Sequence, residues 1–81
     1  MSSMLREAAL AALRGDWHDA HNIVQQNETE LANWLHAVLH KIEGDYTNSR
    51  YWYARSGGRQ FTDFTHSQAE LEAILMALEA N

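Results

Sequence analysis

A Gly-Asp-aromatic tripeptide occurs twice, and this repeat constrains the fold more than any other feature of the sequence. The copies start at Gly15 and Gly44, 29 residues apart, and an alanine stands seven residues before each glycine. A glycine can end a helix in the left-handed conformation, and the aspartate after it can cap the next helix. The repeat therefore predicts two stacked helical hairpins, with the aromatic residue packed in the angle of each. The corner residues are Gly15, Asp16, Trp17, Gly44, Asp45 and Tyr46.

The composition favours an all-α fold. Proline is absent from the 81 residues, and the strand-favouring residues Val and Ile are few. We predict one all-helical domain over residues 1–81 with about five helices. These form tandem antiparallel hairpins at about 3–26 and 29–56, followed by a C-terminal helix at about 66–80.

Two of these helices carry further signals. In the C-terminal helix, Ser67 and Glu70 have the spacing of a capping box, which predicts the start of the helix there. We expect this helix to cover one end of the stack and a second copy of the chain, in a homodimer, to cover the other. In the third helix an apolar stripe predicts the buried face. Its members are Leu31, Leu35, Val38 and Ile42.

Bulk properties limit the classes of function. The absence of cysteine excludes disulfides and thiolate metal sites. The N-terminus lacks a signal-peptide pattern, and no apolar run reaches the roughly 20 residues that span a bilayer, so we expect a cytoplasmic protein without a membrane partner. The formal net charge of −5 argues against nucleic acid as a partner, because phosphate neutralisation supplies most of that affinity.

Histidines are frequent, and their spacing suggests a metal site. His36 and His40 are four residues apart, with Glu43 three further on, so the three fall within about 60° on one helix and away from its apolar stripe. His18 and His21 lie on the preceding helix, whose start should lie near the end of the third, so His21 could reach His40. Such a set could bind a divalent metal such as zinc. Hydrogen-bonded or exposed histidines are the alternative interpretation, and "HAVLH" lacks the glutamate of a zinc-protease motif.

The segment "RYWYARSGGR" combines arginines with aromatic rings and contains no acidic residue. Such a segment suits an acidic peptide or a nucleotide, since guanidinium groups bind anions while rings stack. Three consecutive rings span about 200° of a helix, so they cannot share one face. We therefore expect Trp52 to be mostly buried and one tyrosine to be partly exposed. The predicted interaction surface consists of Arg50, Tyr51, Tyr53, Arg55 and Arg59.

The repeated pattern resembles the tetratricopeptide repeat, whose second half reads "G-D-Y-x-x-A" and continues into aromatic residues, as "GDYTNSRYWY" does here. The resemblance covers roughly residues 4–57 and implies a module that binds proteins or peptides. The spacing is 29 residues instead of about 34, the closing proline is absent, and Ser49 replaces the small alanine. The run "WLHAVLHKIEGDYTNSRYWYARSG" also resembles a segment of short bacterial proteins, a likeness that implies no chemistry.

Three functional hypotheses follow from these patterns. The first is a non-catalytic module that binds a protein or peptide, since no complete catalytic set is present and no cofactor is required. The second is a divalent-metal-binding protein or metal-dependent enzyme that uses the histidines and Glu43. The third is an anion or nucleotide binder at the arginines.

Overall fold

The computed structural model describes residues 3–80, which form five α-helices and one 3₁₀ turn, with no strand in that range. This confirms the predicted all-α fold with about five helices. Residues 1, 2 and 81 of the predicted domain lie outside the described residues. The elements are α1 (Ser3–Leu13), α2 (Trp17–Val24), α3 (Glu30–Glu43), α4 (Tyr46–Tyr53), a 3₁₀ turn (Phe61–Asp63) and α5 (Ser67–Ala80).

The corners at the two repeated tripeptides have the same geometry. Gly15 and Gly44 both have a φ of +86°, which is the left-handed conformation that glycine adopts without steric cost. In each corner the aspartate carboxylate accepts a hydrogen bond of 3.3 Å from the backbone N–H three residues later. Its own N–H donates to the carbonyl five residues earlier, at 2.8 and 2.9 Å. The same local interactions therefore end the first helix and start the second in both places.

Small residues allow close packing within each helix pair. Ala8 of α1 and Ala20 of α2 are fully buried, as are Ala37 of α3 and Ser49 of α4. The Ser49 hydroxyl donates a 2.7 Å hydrogen bond to the Ala37 carbonyl, so its polar atom is satisfied in the contact. Ser49 thus performs the packing role of the alanine at the equivalent repeat position.

Helix α3 is the centre of the molecule. Every residue from 32 to 40 is buried, because α2, α4 and α5 all pack against this helix. The predicted buried stripe is therefore wrong at one end, where Ile42 is 44% exposed. His36 and His40, which were expected to lie away from the buried face, are buried on the sides that contact the neighbouring helices.

The C-terminal helix packs across the first helix of each pair. Its contacts are mainly with α1 and α3, so α5 lies along the side of the stack and does not cover an end as predicted. Leu71, Ile74 and Leu78 form its buried face. Phe61 and Phe64, in the segment before α5, are partly buried against the core.

A buried carboxylate anchors α5 to the rest of the protein. Glu70 has no exposed surface, and its Oε2 accepts hydrogen bonds from Trp34 Nε1 at 2.8 Å and from the Tyr53 hydroxyl at 2.7 Å. Its Oε1 lies 3.1 Å from Lys41 Nζ. The predicted capping box of Ser67 and Glu70 is therefore wrong, because the carboxylate points into the core and makes none of its described bonds to the start of its own helix.

Lys41 completes this network. Its ammonium group has three N–H donors, and three short contacts use them: the Phe61 carbonyl at 2.7 Å, the Phe64 carbonyl at 2.9 Å and Glu70 at 3.1 Å. A longer contact of 3.3 Å reaches the Tyr53 hydroxyl. One lysine thereby fixes the segment that connects α4 to α5.

Candidate functional site

Three of the five predicted metal ligands converge where α2 meets α3. His21 on α2 and His36 and His40 on α3 form the histidine cluster, in which one ligand nitrogen of each residue lies within 4.8 Å of the others. The shortest separation is 3.2 Å between His21 Nε2 and His36 Nε2. His36 and His40 are buried, and His21 is half-buried. The one-turn spacing on α3 and the expected proximity of His21 and His40 both hold in the structure.

Two tryptophans hold the imidazole rings of the histidine cluster. Trp17 stacks on His21 with ring centroids 4.7 Å apart, and Trp52 stacks on His36 at 4.0 Å. The indole Nε1 of Trp17 donates to the Leu39 carbonyl at 2.7 Å, which fixes its ring against α3. Trp17 therefore contacts both its own hairpin and the neighbouring one. Trp52 is largely buried against the core, in agreement with the prediction for this ring.

The other two predicted ligands have different positions. Glu43 Oε1 lies 2.9 Å from His40 Nδ1, and a carboxylate can only accept, so this nitrogen carries the ring proton. The lone pair of His40 is then on Nε2, which has the Asn48 amide nitrogen 3.4 Å away. Glu43 thus orients His40 from outside the cluster. His18 is exposed and contacts the edge of Trp17, so it lies apart from the three converging nitrogens.

The environment of the histidine cluster favours neutral imidazoles. Burial, followed by the proximity of His21 and His40, lowers the pKa of His36 to about 4. Burial also lowers the pKa of His21, as does His40, while the Glu43 carboxylate acts in the opposite direction. Both rings therefore present a nitrogen lone pair at neutral pH.

The predicted arginine surface contributes to three depressions, of which the largest, about 560 Å³, is lined by Arg50 together with Lys41 and Tyr46. Arg50 and Arg59 line one cleft of about 340 Å³, which we call the arginine cleft. Arg55 lines a separate pocket of about 310 Å³ together with Trp52 and His36. The arginine cleft has an apolar wall formed by Phe61, which no sequence signal placed next to Arg50. Its other main lining residues are Ala54, Gln60 and Thr62.

Each of these arginines rests on an aromatic ring. The guanidinium carbon of Arg50 lies 4.3 Å from the ring centre of Phe61, and that of Arg59 lies 4.5 Å from Trp34. Arg55 lies 3.7 Å over Tyr51. None of the three forms an ion pair with a carboxylate between residues 3 and 80.

The two predicted surface tyrosines differ in burial. Tyr51 is 49% exposed, whereas Tyr53 is 4% exposed and donates its hydroxyl to Glu70. Burial and this bond raise the pKa of Tyr53. Tyr53 is therefore a core residue, and its place in the predicted surface is wrong. Tyr46 of the second corner is 51% exposed with its ring edge against Phe61, so it does not fill the angle of its hairpin.

Comparison of the chain with protein-family models, with curated proteins and with solved structures finds no match. The resemblance to the tetratricopeptide repeat therefore stays a prediction from the residues that carry it. Within the described part of the chain, none of the helices is both long enough and apolar enough to cross a membrane.

The lowered pKa of His36 makes the stability of the metal-free protein depend on pH. As pH falls below about 6.5, His36 of the unfolded chain binds a proton, whereas His36 of the folded chain binds one only near pH 4. The contribution of this group to the free energy of unfolding is therefore fully present above about pH 6.5 and is lost as pH falls toward 4. We expect this group to remove on the order of 3 kcal/mol of the free energy of unfolding across this pH range. The groups facing His36 are His21 and His40, which oppose its protonation, and Glu43 acts through His40.

The measurement is urea denaturation between pH 4 and pH 7 in the presence of a chelator. His36→Gln removes the group and should flatten the profile relative to wild type, while the exposed control His18→Gln should retain it. Parallel profiles for wild type and His36→Gln would contradict the prediction.

Proposed function

We propose that the protein is a small, non-catalytic helical module that binds an acidic segment of a partner protein or peptide in the arginine cleft. The observation that carries this proposal is the pair of arginines in one cleft, Arg50 and Arg59, which have no acidic partner among the described residues. The tetratricopeptide-like sequence pattern supports the same class of function.

The charge distribution makes these arginines exceptional within the chain. The chain has eleven acidic and only six basic residues, so carboxylates outnumber the basic side chains that could pair with them. Three of the six basic residues do form such ion pairs, and these are Arg6, Arg14 and Lys41. The remaining three are all in α4 or just after it, which concentrates unneutralised positive charge on one part of an acidic protein. A carboxylate-bearing partner would supply the missing charge.

The cleft arginines are also held in place before any partner binds. Arg50 lies on Phe61, and Arg59 lies on Trp34 while one of its nitrogens donates to the Ser56 carbonyl at 2.9 Å. A guanidinium group has five N–H donors, so most remain free for a carboxylate. Phe61 adds an apolar wall for the neighbouring side chain of a bound peptide. This arrangement reduces the conformational entropy that binding would cost.

A carboxylate suits the cleft better than a polyphosphate does. Arg50 and Ala54 lie at the C-terminal end of α4, where the helix dipole contributes partial negative charge. This charge opposes a polyphosphate more strongly than it opposes a single carboxylate. Two arginines balance one or two carboxylates, whereas a nucleotide or nucleic acid would bring more negative charge to a chain that already carries a net −5.

Peptide binding tests the proposal directly. The probe is a labelled peptide that alternates Glu with Phe, and its reference is the same peptide with Gln in place of Glu. We expect the acidic peptide to bind, and Arg50→Gln or Arg59→Gln to weaken binding by about tenfold each, because each removes a charge-assisted hydrogen bond. Added salt should weaken the wild-type complex.

Arg55→Gln is the matched control, since Arg55 is exposed and lacks an acidic partner among the described residues, but lies outside the arginine cleft. It should bind the acidic peptide as wild type does. Equal binding of the two peptides, or equal losses in all three variants, would contradict a specific cleft.

Self-association is a second proposal, because two large apolar side chains are exposed on helices that pack together. Met4 of α1 is 59% exposed and Met76 of α5 is 72% exposed. We expect light scattering to give about twice the chain mass of 9.3 kDa, and Met76→Glu to reduce it to the monomer mass. Gln68→Glu, an exposed change on the same helix, should leave the dimer intact. A monomer mass for the wild-type protein at high concentration would end this proposal.

A further inference from the structure

The histidine cluster is not used by the proposed peptide binding, and we infer that it binds one divalent cation of the zinc class. His21, His36 and His40 would be the three protein ligands, one from the first hairpin and two from the second. The inference depends on three imidazoles meeting at a buried position between helices. It goes beyond peptide binding, which involves other residues.

The distances in the histidine cluster fit a tetrahedral metal. Zinc–imidazole bonds of 2.0–2.1 Å at the tetrahedral angle place two ligand nitrogens about 3.3 Å apart. His21 Nε2 and His36 Nε2 are 3.2 Å apart. The other separations between ligand nitrogens are at most 4.8 Å, so metal binding would need them to shorten toward the tetrahedral separation.

A simple hydrogen bond explains only part of this arrangement. Two neutral imidazoles can share one proton across 3.2 Å, but this bond does not explain why the His40 ring, which is hydrogen-bonded to Glu43 and Asn48, lies beside them. The ring centre of His40 lies 5.2 Å from that of His21 and 5.0 Å from that of His36. Three imidazoles whose ligand nitrogens lie within 4.8 Å of one another form a donor set that one divalent cation can bind.

The surroundings of the cluster match those of metal-binding histidines. Glu43 accepts from His40 Nδ1, which fixes the ring and leaves Nε2 as the ligand nitrogen, where a metal would replace the long 3.4 Å contact with the Asn48 amide. Trp17 and Trp52 restrict the rotation of His21 and His36 by stacking. Imidazole ligands without thiolates favour Zn²⁺, Co²⁺, Ni²⁺ or Cu²⁺ over Ca²⁺ and Mg²⁺.

An opening next to the cluster offers a route for the cation. His36 lines the pocket of about 310 Å³ between the end of α2, the start of α3 and the end of α4. Asn33 and Trp52 line the same pocket. A cation that enters here would join the two hairpins and stabilise the folded state in proportion to its occupancy.

Thermal denaturation with added metal tests the inference. Protein prepared without an affinity tag and treated with a chelator should bind one equivalent of Zn²⁺ and show a rise in Tm of about 5 °C or more with excess metal. His21→Gln and His36→Gln should lose this response, whereas His18→Gln and His66→Gln should keep it, because both control histidines are exposed. Absence of a Tm rise in wild type, or an equal rise in all four variants, would overturn the inference.

A second measurement needs no variant and so does not depend on a variant folding. Long-range ¹H–¹⁵N spectra of the wild-type protein should show that Zn²⁺ shifts the imidazole nitrogens of His21, His36 and His40 and leaves those of His18 and His66 unchanged. Shifts confined to the two exposed histidines would overturn the site. Arg50→Gln should bind Zn²⁺ as wild type does, so failure of the peptide proposal and failure of the metal site can be told apart.

Discussion

The buried ion pair between Lys41 and Glu70 is the interaction on which the arrangement of helices depends. It connects α3 with α5, and its further hydrogen bonds reach Trp34, Tyr53 and the chain between α4 and α5. Burying a charge is costly unless it is paired and fully hydrogen-bonded, and here the three ammonium protons and both carboxylate oxygens have partners. Such a network allows few alternative packings, because any shift of α5 would leave a charge unpaired.

The two candidate sites are consequences of this packing. The bond from Lys41 to the Phe61 carbonyl holds the 3₁₀ turn beside α4, and so forms the apolar wall against which Arg50 lies. The histidine cluster lies elsewhere, at the contact between α2 and α3, where His21 meets the central helix. Because the ligand histidines lie on α2 and α3 and the cleft arginines lie in or after α4, a substitution of an arginine need not affect the histidines.

The sequence predicted the features that depend on local interactions. Each corner is set by a left-handed glycine and a capping aspartate within a few residues, so Gly15 and Gly44 could be identified from the pattern. Helical periodicity likewise predicted that His36 and His40 lie one turn apart on one face.

The features that were missed depend on tertiary contacts. Glu70 lies one turn before Ile74 on the buried side of α5, a signal that the capping-box spacing obscured. The separation of Arg55 from the arginine cleft depends on where the loop after α4 folds.

A double-mutant cycle on Lys41 and Glu70 tests the central claim most directly. Lys41→Met leaves a buried carboxylate unpaired and Glu70→Leu leaves a buried ammonium unpaired, so each single change should cost about 3–5 kcal/mol of the free energy of unfolding. The double variant has no buried charge at this position, and we expect its loss to be smaller than the sum of the single losses by at least about 2 kcal/mol. Single losses that simply add in urea denaturation would show that the two charges do not act together, and would contradict this account of the fold.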